Sequence, residues 1–119
     1  MLKSYRELIV WQKSMELVDE IYKITDKLPK YELYSLSKQM RNSAVSIPSN
    51  IAEGSGRITT GEFVQFLGIA NASCLELDTQ VSIAKKRYVN NNYSVVERLL
   101  EEVQKMLNVL IKKLRFRKK

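Results

Sequence analysis

Apolar residues recur at alternating steps of three and four along four stretches of the chain, the spacing that lines one face of an α-helix. In the first stretch Leu8, Trp11, Met15, Val18, Tyr22 and Thr25 form the stripe, Ile21 and Ile24 widen it, and Lys13, Glu16, Asp19, Glu20 and Lys23 take the opposite face. Ser4 and Glu7 stand before it at capping-box spacing, and Leu28-Pro29-Lys30 ends it, because a residue preceding proline is biased out of the helical region. The third stretch opens at Thr59, whose hydroxyl can cap while Glu62 reaches back. Its stripe is Phe63, Phe66, Ala70, Ser73, Leu77, Val81, Ala84 and Tyr88, with Leu67, Cys74 and Ile83 beside it. Gly68, Ala70, Ala72 and Ser73 are small enough to predict close approach of a neighbouring helix. Asn90-Asn91-Asn92 is a turn, after which Asn92 or Ser94 caps the fourth helix. Val96, Leu99, Val103, Leu107, Leu110 and Leu114 form its stripe, extended by Leu100, Met106 and Ile111.

The second helix is expected to start between Glu32 and Ser37, led by Leu33, Leu36 and Met40, and it breaks a local rule. Pro48 lies in its middle, where a proline removes its own N–H and presses on the carbonyl four residues back, a defect of roughly 3 kcal/mol. Met40, Ala44, Ile47 and Ile51 nevertheless keep helical spacing straight through it, so one face meets a core on both sides. The spacing therefore predicts one kinked helix, stopped by Gly54 and Gly56. Ser43, Ser46, Ser49 and Asn50 crowd this stretch as local partners for backbone groups the proline frees, and Glu53 is expected to join Asn50 in a partly buried hydrogen-bond network. The motif so defined comprises Ser46, Pro48, Ser49, Asn50, Glu53 and Gly54. With short connections and no internal repeat, the pattern gives an all-α chain. It is read as an antiparallel up-down-up-down four-helix bundle, its second helix kinked at Pro48, filling residues 1–119 as a single domain.

Charge changes the picture at one end. All 13 acidic residues lie at or before Glu102 together with 13 of the 20 Lys and Arg, so the net charge of +7 resides in the last 17 residues. A basic C-terminal tail, 112–119, attracts phosphate backbones or acidic surfaces; it equally keeps a protein soluble and complements a helix C-terminus. The expected topology places Lys3, Arg6 and Arg57 at the same pole as the tail, and Lys27, Lys30, Lys85, Lys86 and Arg87 at the other. The single cysteine, Cys74, forms no intramolecular disulfide, which fits a reducing cytoplasm. No apolar run reaches the length of a membrane span, and MLKSYREL lacks the apolar core of a signal peptide.

Candidate chemistry is sparse. There is no histidine, which removes the commonest general base and metal ligand. Cys74 on the core face of the third helix has no evident base beside it. Glu53, Glu62, Glu76 and Asp78 invite comparison with a di-iron bundle, but that site class requires Glu-x-x-His pairs. Gly56–Phe63, GRITTGEF, imitates a phosphate-binding loop yet carries Glu62 and Phe63 where Lys and Ser or Thr belong, so it reads as an interhelical turn. No enzymatic activity, cofactor or metal is expected.

Three runs in order, VWQKSMELV (10–18), AVSIPSNIAEG (44–54) and EFVQFLGIANASCLELDTQ (62–80), carry a resemblance. The chain resembles the four-helix-bundle family of 23S rRNA intervening-sequence proteins, to which accessory proteins of diversity-generating retroelements are similar. The resemblance implies a small bacterial bundle assembled as a ring-shaped homopentamer, with nucleic acid and a reverse transcriptase as partners of the retroelement relatives. Set beside the charge pattern, the expected function is a non-catalytic, cytoplasmic accessory protein binding structured RNA or DNA through Lys3, Arg6, Arg57, Lys112, Lys113, Arg115, Arg117, Lys118 and Lys119. Phe116 and Tyr5 are aromatic neighbours able to stack on an unpaired base. The alternative is a structural protein–protein oligomer with no nucleic-acid role. A membrane-surface role for the fourth helix is disfavoured by Glu97, Glu101 and Glu102 in its first half.

Overall fold

The computed structural model describes residues 4–117, apart from the side chain of Arg117. Four α-helices account for most of it: α1 (Ile9–Thr25), α2 (Leu36–Ser55), α3 (Thr60–Arg87) and α4 (Ser94–Arg117), with single 3-10 turns at Tyr5–Glu7 and Lys30–Glu32. Each helix packs on its two neighbours in the order α1–α2–α3–α4–α1, leaving α1 diagonal to α3. Neighbours run in opposite directions. Lys85 near the end of α3 meets Glu97 near the start of α4 at 3.0 Å, and Arg41 early in α2 reaches Asp26 just beyond α1 at 2.8 Å. Leu8 and Val10 line one groove with Leu110 and Lys113, which sets the start of α1 beside the end of α4. The prism measures 49 × 21 × 20 Å. Among the described residues no helix is long and apolar enough to cross a membrane.

The core is aliphatic. Met40, Ala44, Ile47 and Ile51 of α2 are all fully buried, on both sides of Pro48, and α2 runs through the proline as one element. The seam on which the proline reading rested is therefore present. Leu67, Ala70, Cys74, Leu77, Val81 and Ala84 of α3 and Val96, Leu99, Val103 and Leu107 of α4 complete the centre as their spacing predicts, whereas Ile83 turns outward.

On α1 the buried face is one residue out of step with the expected stripe. Val10, Leu17, Ile21 and Ile24 fill the core, and Ser14 and Thr25 join them with hydroxyls donating to the Trp11 and Ile21 carbonyls at 2.7 Å. Leu8, Trp11 and Val18 are only half-buried, and Met15 and Tyr22 are 41% and 42% exposed. A one-residue shift turns a helix by about 100°. Both stripes carry apolar residues, and the aliphatic set packs the tight centre while the larger Trp11, Met15 and Tyr22 lie at its edge.

The start of this helix also differs from expectation. Ser4 accepts from the Arg6 N–H at 3.1 Å and closes only the 3-10 turn; Leu8 is extended, and α1 begins after it. No capping box forms there, because the hydroxyl is taken by the residue two positions on. At Thr59 the box is complete: Glu62 N–H donates to Thr59 Oγ1 at 3.1 Å, and Thr59 N–H to Glu62 Oε1 at 3.3 Å. Gly56 ends α2 as expected, but Gly54 lies inside the helix, buried against α3. A Cβ on Gly54 would stand 2.6 Å from Phe66 Cβ, so this glycine serves close approach rather than termination. Gly68, by contrast, has nothing within 4 Å and faces outward with Ala72, so neither mediates packing inside the bundle.

Candidate nucleic-acid interface

The basic segment 112–117 continues α4 as its last turns. Leu107 and Leu114 anchor it in the core, and Lys112, Lys113, Arg115 and Phe116 are exposed. Lys112, Lys113 and Arg115 make no ion pair among the described residues, whereas Lys105 two turns before Lys112 pairs with Glu101 at 3.1 Å. Cations at a helix C-terminus also complement its dipole. Alongside, Leu8, Val10, Met106, Val109, Leu110 and Lys113 line a shallow apolar groove of about 340 Å³. Arg6 is exposed, its guanidinium 4.8 Å above the Tyr5 ring, and Tyr5 in turn meets Trp11 edge-on at 5.2 Å.

Arg57 reaches the same end but is already engaged. Its guanidinium pairs with Glu53 at 2.8 Å and lies 4.7 Å over the Phe66 ring. Glu53 is exposed and makes that ion pair rather than a network with Asn50, because position 53 faces away from the core. Asn50 instead donates to the Ser46 carbonyl at 2.8 Å and to Ser46 Oγ at 3.0 Å, and Ser46 Oγ lies 2.8 Å from Ser73 Oγ across the α2–α3 seam. Ser49 is exposed beside Pro48 in a groove with Tyr5, Trp11, Met15 and Val45. Lys3, Lys118, Lys119 and the side chain of Arg117 lie outside the described residues. Desolvation pushes the Cys74 thiol up to about 12, so it stays protonated at neutral pH. Among the described residues no three carboxylates or thiols gather.

The opposite end is formed by the α1–α2 connection (26–35) and the α3–α4 connection (88–93). Glu32, buried in the first, accepts from the Tyr88 hydroxyl at the end of α3, from Ser35 Oγ at 2.7 Å and from Leu36 N–H at 3.4 Å. Tyr93 is buried, its hydroxyl donating to the Ala84 and Tyr88 carbonyls at 3.0 and 2.8 Å. Asn92 Oδ1 accepts from Ser94 N–H at 2.9 Å and so caps α4.

Residues 6–109 match the model of the 23S rRNA-intervening sequence protein family. The chain belongs to that family. A crystal structure of a protein of unknown function from the S23 ribosomal protein family of Bacteroides thetaiotaomicron superposes with a TM-score of 0.80 at 24% identity, covering 87% of this chain and 99% of the other. That likeness establishes the fold. No curated protein sequence matches the chain.

In this intervening-sequence family member the structure brings Arg6, Arg57, Lys112, Lys113 and Arg115 to one end, but leaves the surplus charge to four of them because Glu53 answers Arg57. Sequence reasoning missed the tie between Glu32 and Tyr88. Tyr88 reads as the last member of the α3 stripe, and only the aromatic-rich linker PKYELYS hinted that residues 29–35 were more than a spacer.

The tie has a pH signature. Hydrogen bonds from Tyr88 and then Ser35 hold the Glu32 carboxyl below its ordinary 4.5, while the bond to Glu32 pushes the Tyr88 phenol from 10.0 up to about 12. A depressed carboxyl stabilises the fold above pH 4.5, and that support fades as pH falls through the lowered value. A raised phenol stabilises it below pH 10, with loss as pH climbs towards about 12. Urea midpoints of the wild type should therefore fall more steeply than those of Tyr88→Phe at both extremes, and parallel curves would dismiss the tie as a stabilising contact.

Proposed function

We propose that this family member is a non-catalytic, oligomeric bundle that binds structured RNA or DNA through the end where α4 stops, as an accessory to another protein such as a polymerase. The supporting observation is the set of three exposed, unpaired cations, Lys112, Lys113 and Arg115, on the last two turns, with Arg6 at the same end and Phe116 exposed among them. Such a surface attracts phosphates by counterion release and reads little sequence.

Self-association is supported by two unlike apolar faces. One is the outer face of α3, where exposed Ile69, Leu75 and Ile83 flank the small Gly68 and Ala72; the other is the α1–α2 groove of Trp11, Met15, Val45 and Pro48. These belong to different sides of the bundle, so copies joining one to the other make a head-to-tail contact, the kind that forms a ring where the rotation between copies closes. The number five comes from the family resemblance alone. In a ring, the basic ends repeat and weak contacts act together.

Native mass measurement and binding of an RNA hairpin and a DNA duplex across a salt series test the proposal. Lys112→Gln/Lys113→Gln/Arg115→Gln should lower the slope of log affinity against log salt by about 2–3, at roughly 0.7–0.9 per phosphate contact. Absence of binding even at low salt would overturn it in favour of a purely structural oligomer.

A further inference from the structure

The end of the bundle away from Arg115 holds a second, differently built surface, and we infer that it binds unstacked single-stranded nucleic acid, with Tyr31 and Tyr34 as base platforms and Lys27, Lys30 and Lys86 as phosphate contacts. The inference shares with the preceding section only the class of ligand; its site, strand state and critical residues are its own.

Tyr31 and Tyr34 are 74% and 85% exposed, an unusual placement for large aromatic rings. They are not loosely attached. Glu32 N–H donates to the Pro29 carbonyl at 2.9 Å and Leu33 N–H to the Lys30 carbonyl at 3.1 Å, and Ser35 N–H to the Glu32 carbonyl at 3.0 Å closes the turn that follows. Tyr31 lies within the 3-10 turn Lys30–Glu32, and Tyr34 follows it in the turn that leads into α2, so both rings are carried by one short connection. The Glu32 carboxylate pins the middle of the connection to Tyr88, and the Tyr31 hydroxyl lies 3.3 Å from that of Tyr88. One edge of Tyr31 is thus held while its ring remains in solvent, which lowers the entropy lost when a base stacks on it.

The surrounding charge is positive once pairs are discounted. Asp26 is engaged by Arg41, Glu97 by Lys85 and Glu20 by Lys23, and Glu32 is buried under Tyr88 and Ser35. Lys27, Lys30 and Lys86 are exposed and make no ion pair among the described residues. Arg87 is exposed at the end of α3, where its charge already acts on the Glu32 carboxylate, so the uncompensated charge is that of Lys27, Lys30 and Lys86. Exposed aromatic faces amid uncompensated cations match a strand whose bases are free to stack and whose phosphates need neutralising. A duplex keeps its base faces covered, so it would engage the cations alone. An acidic protein surface would likewise leave the rings without a specific role.

The test is fluorescence anisotropy of a labelled ~20-nucleotide oligo(U) at roughly 50 mM salt and upward, with the full chain and four variants. Tyr31→Ala/Tyr34→Ala should weaken binding roughly tenfold or more with an unchanged salt slope, because stacking releases no counterions. Tyr31→Phe/Tyr34→Phe should retain binding, which separates ring stacking from a structural role of the hydroxyls. Lys27→Gln/Lys30→Gln/Lys86→Gln should lower the slope by about 2. If the alanine pair binds oligo(U) as the wild type does while Lys112→Gln/Lys113→Gln/Arg115→Gln abolishes binding, this inference falls and the tail-end reading stands. The reverse pattern upholds the linker site and removes the tail-end one. Equal affinity for polyglutamate, lost in the alanine pair, would overturn the inference in favour of an acidic protein partner. No binding to any nucleic acid overturns both.

Discussion

Replacing Gly54 with valine should destabilise the bundle by about 3 kcal/mol or more, at the upper end of overpacking costs in a well-packed core. The magnitude follows from what the new side chain would strike. Its Cβ would meet Phe66 Cβ at 2.6 Å, Phe63 Cδ1 at 3.0 Å and the Phe63 carbonyl at 3.3 Å. The first of these is fixed to the α3 backbone and cannot swing aside, so α2 and α3 must separate and loosen Ile47, Ile51 and Leu67 around them. Alanine at the same position gains about 1 kcal/mol of helix propensity yet should still lose on balance. Gly68→Ala is the matched control. It gains the same propensity at a position with nothing within 4 Å, so guanidinium unfolding should show it more stable than wild type. If Gly54→Ala is stabilised as much as Gly68→Ala, the close approach of α2 and α3 is wrong.

Ile47→Ala should cost about 2–5 kcal/mol, the range for emptying a fully buried aliphatic site. Its position one residue before Pro48 makes it informative beyond that. The proline's defect of roughly 3 kcal/mol is tolerated because the buried seam runs on through it. Pro48→Ala alone should then stabilise by about 1–2 kcal/mol, the restored hydrogen bond being partly offset by a freer unfolded chain. Added to Ile47→Ala it should return part of the loss, and a double-mutant cycle by urea denaturation measures how strongly the adjacent sites couple. A destabilised Pro48→Ala would mean that the buried pyrrolidine ring contributes more to packing than the missing N–H removes.

These two positions also mark what the sequence could and could not disclose. The α2 seam, the Thr59–Glu62 box and the α4 stripe were legible because periodicity and capping are local, repeated signals. The burial of α1 was not: two apolar stripes one residue apart satisfy the same period, and only tertiary packing selects Val10, Leu17, Ile21 and Ile24 over Trp11, Met15 and Tyr22. Gly54 carried two meanings, helix end and close contact, and no local rule separates them. Glu53 was assigned to Asn50 by proximity along the chain, whereas one helical turn further on Arg57 offers it a full opposite charge at 2.8 Å. The basic end of α4 followed from counting charges. The linker tyrosines did not, since their exposure and the Glu32–Tyr88 tie depend on two connections that are 56 residues apart meeting in space.

The order α1–α2–α3–α4–α1 has a kinetic corollary. Three of the four seams join helices adjacent along the chain, so each forms by closing a short loop and loses little entropy in doing so. Only the α1–α4 seam must gather segments from opposite halves of the polypeptide. That seam is the slow-closing step of assembly by topology, and the hairpins on either side of it are the units that can form early and wait.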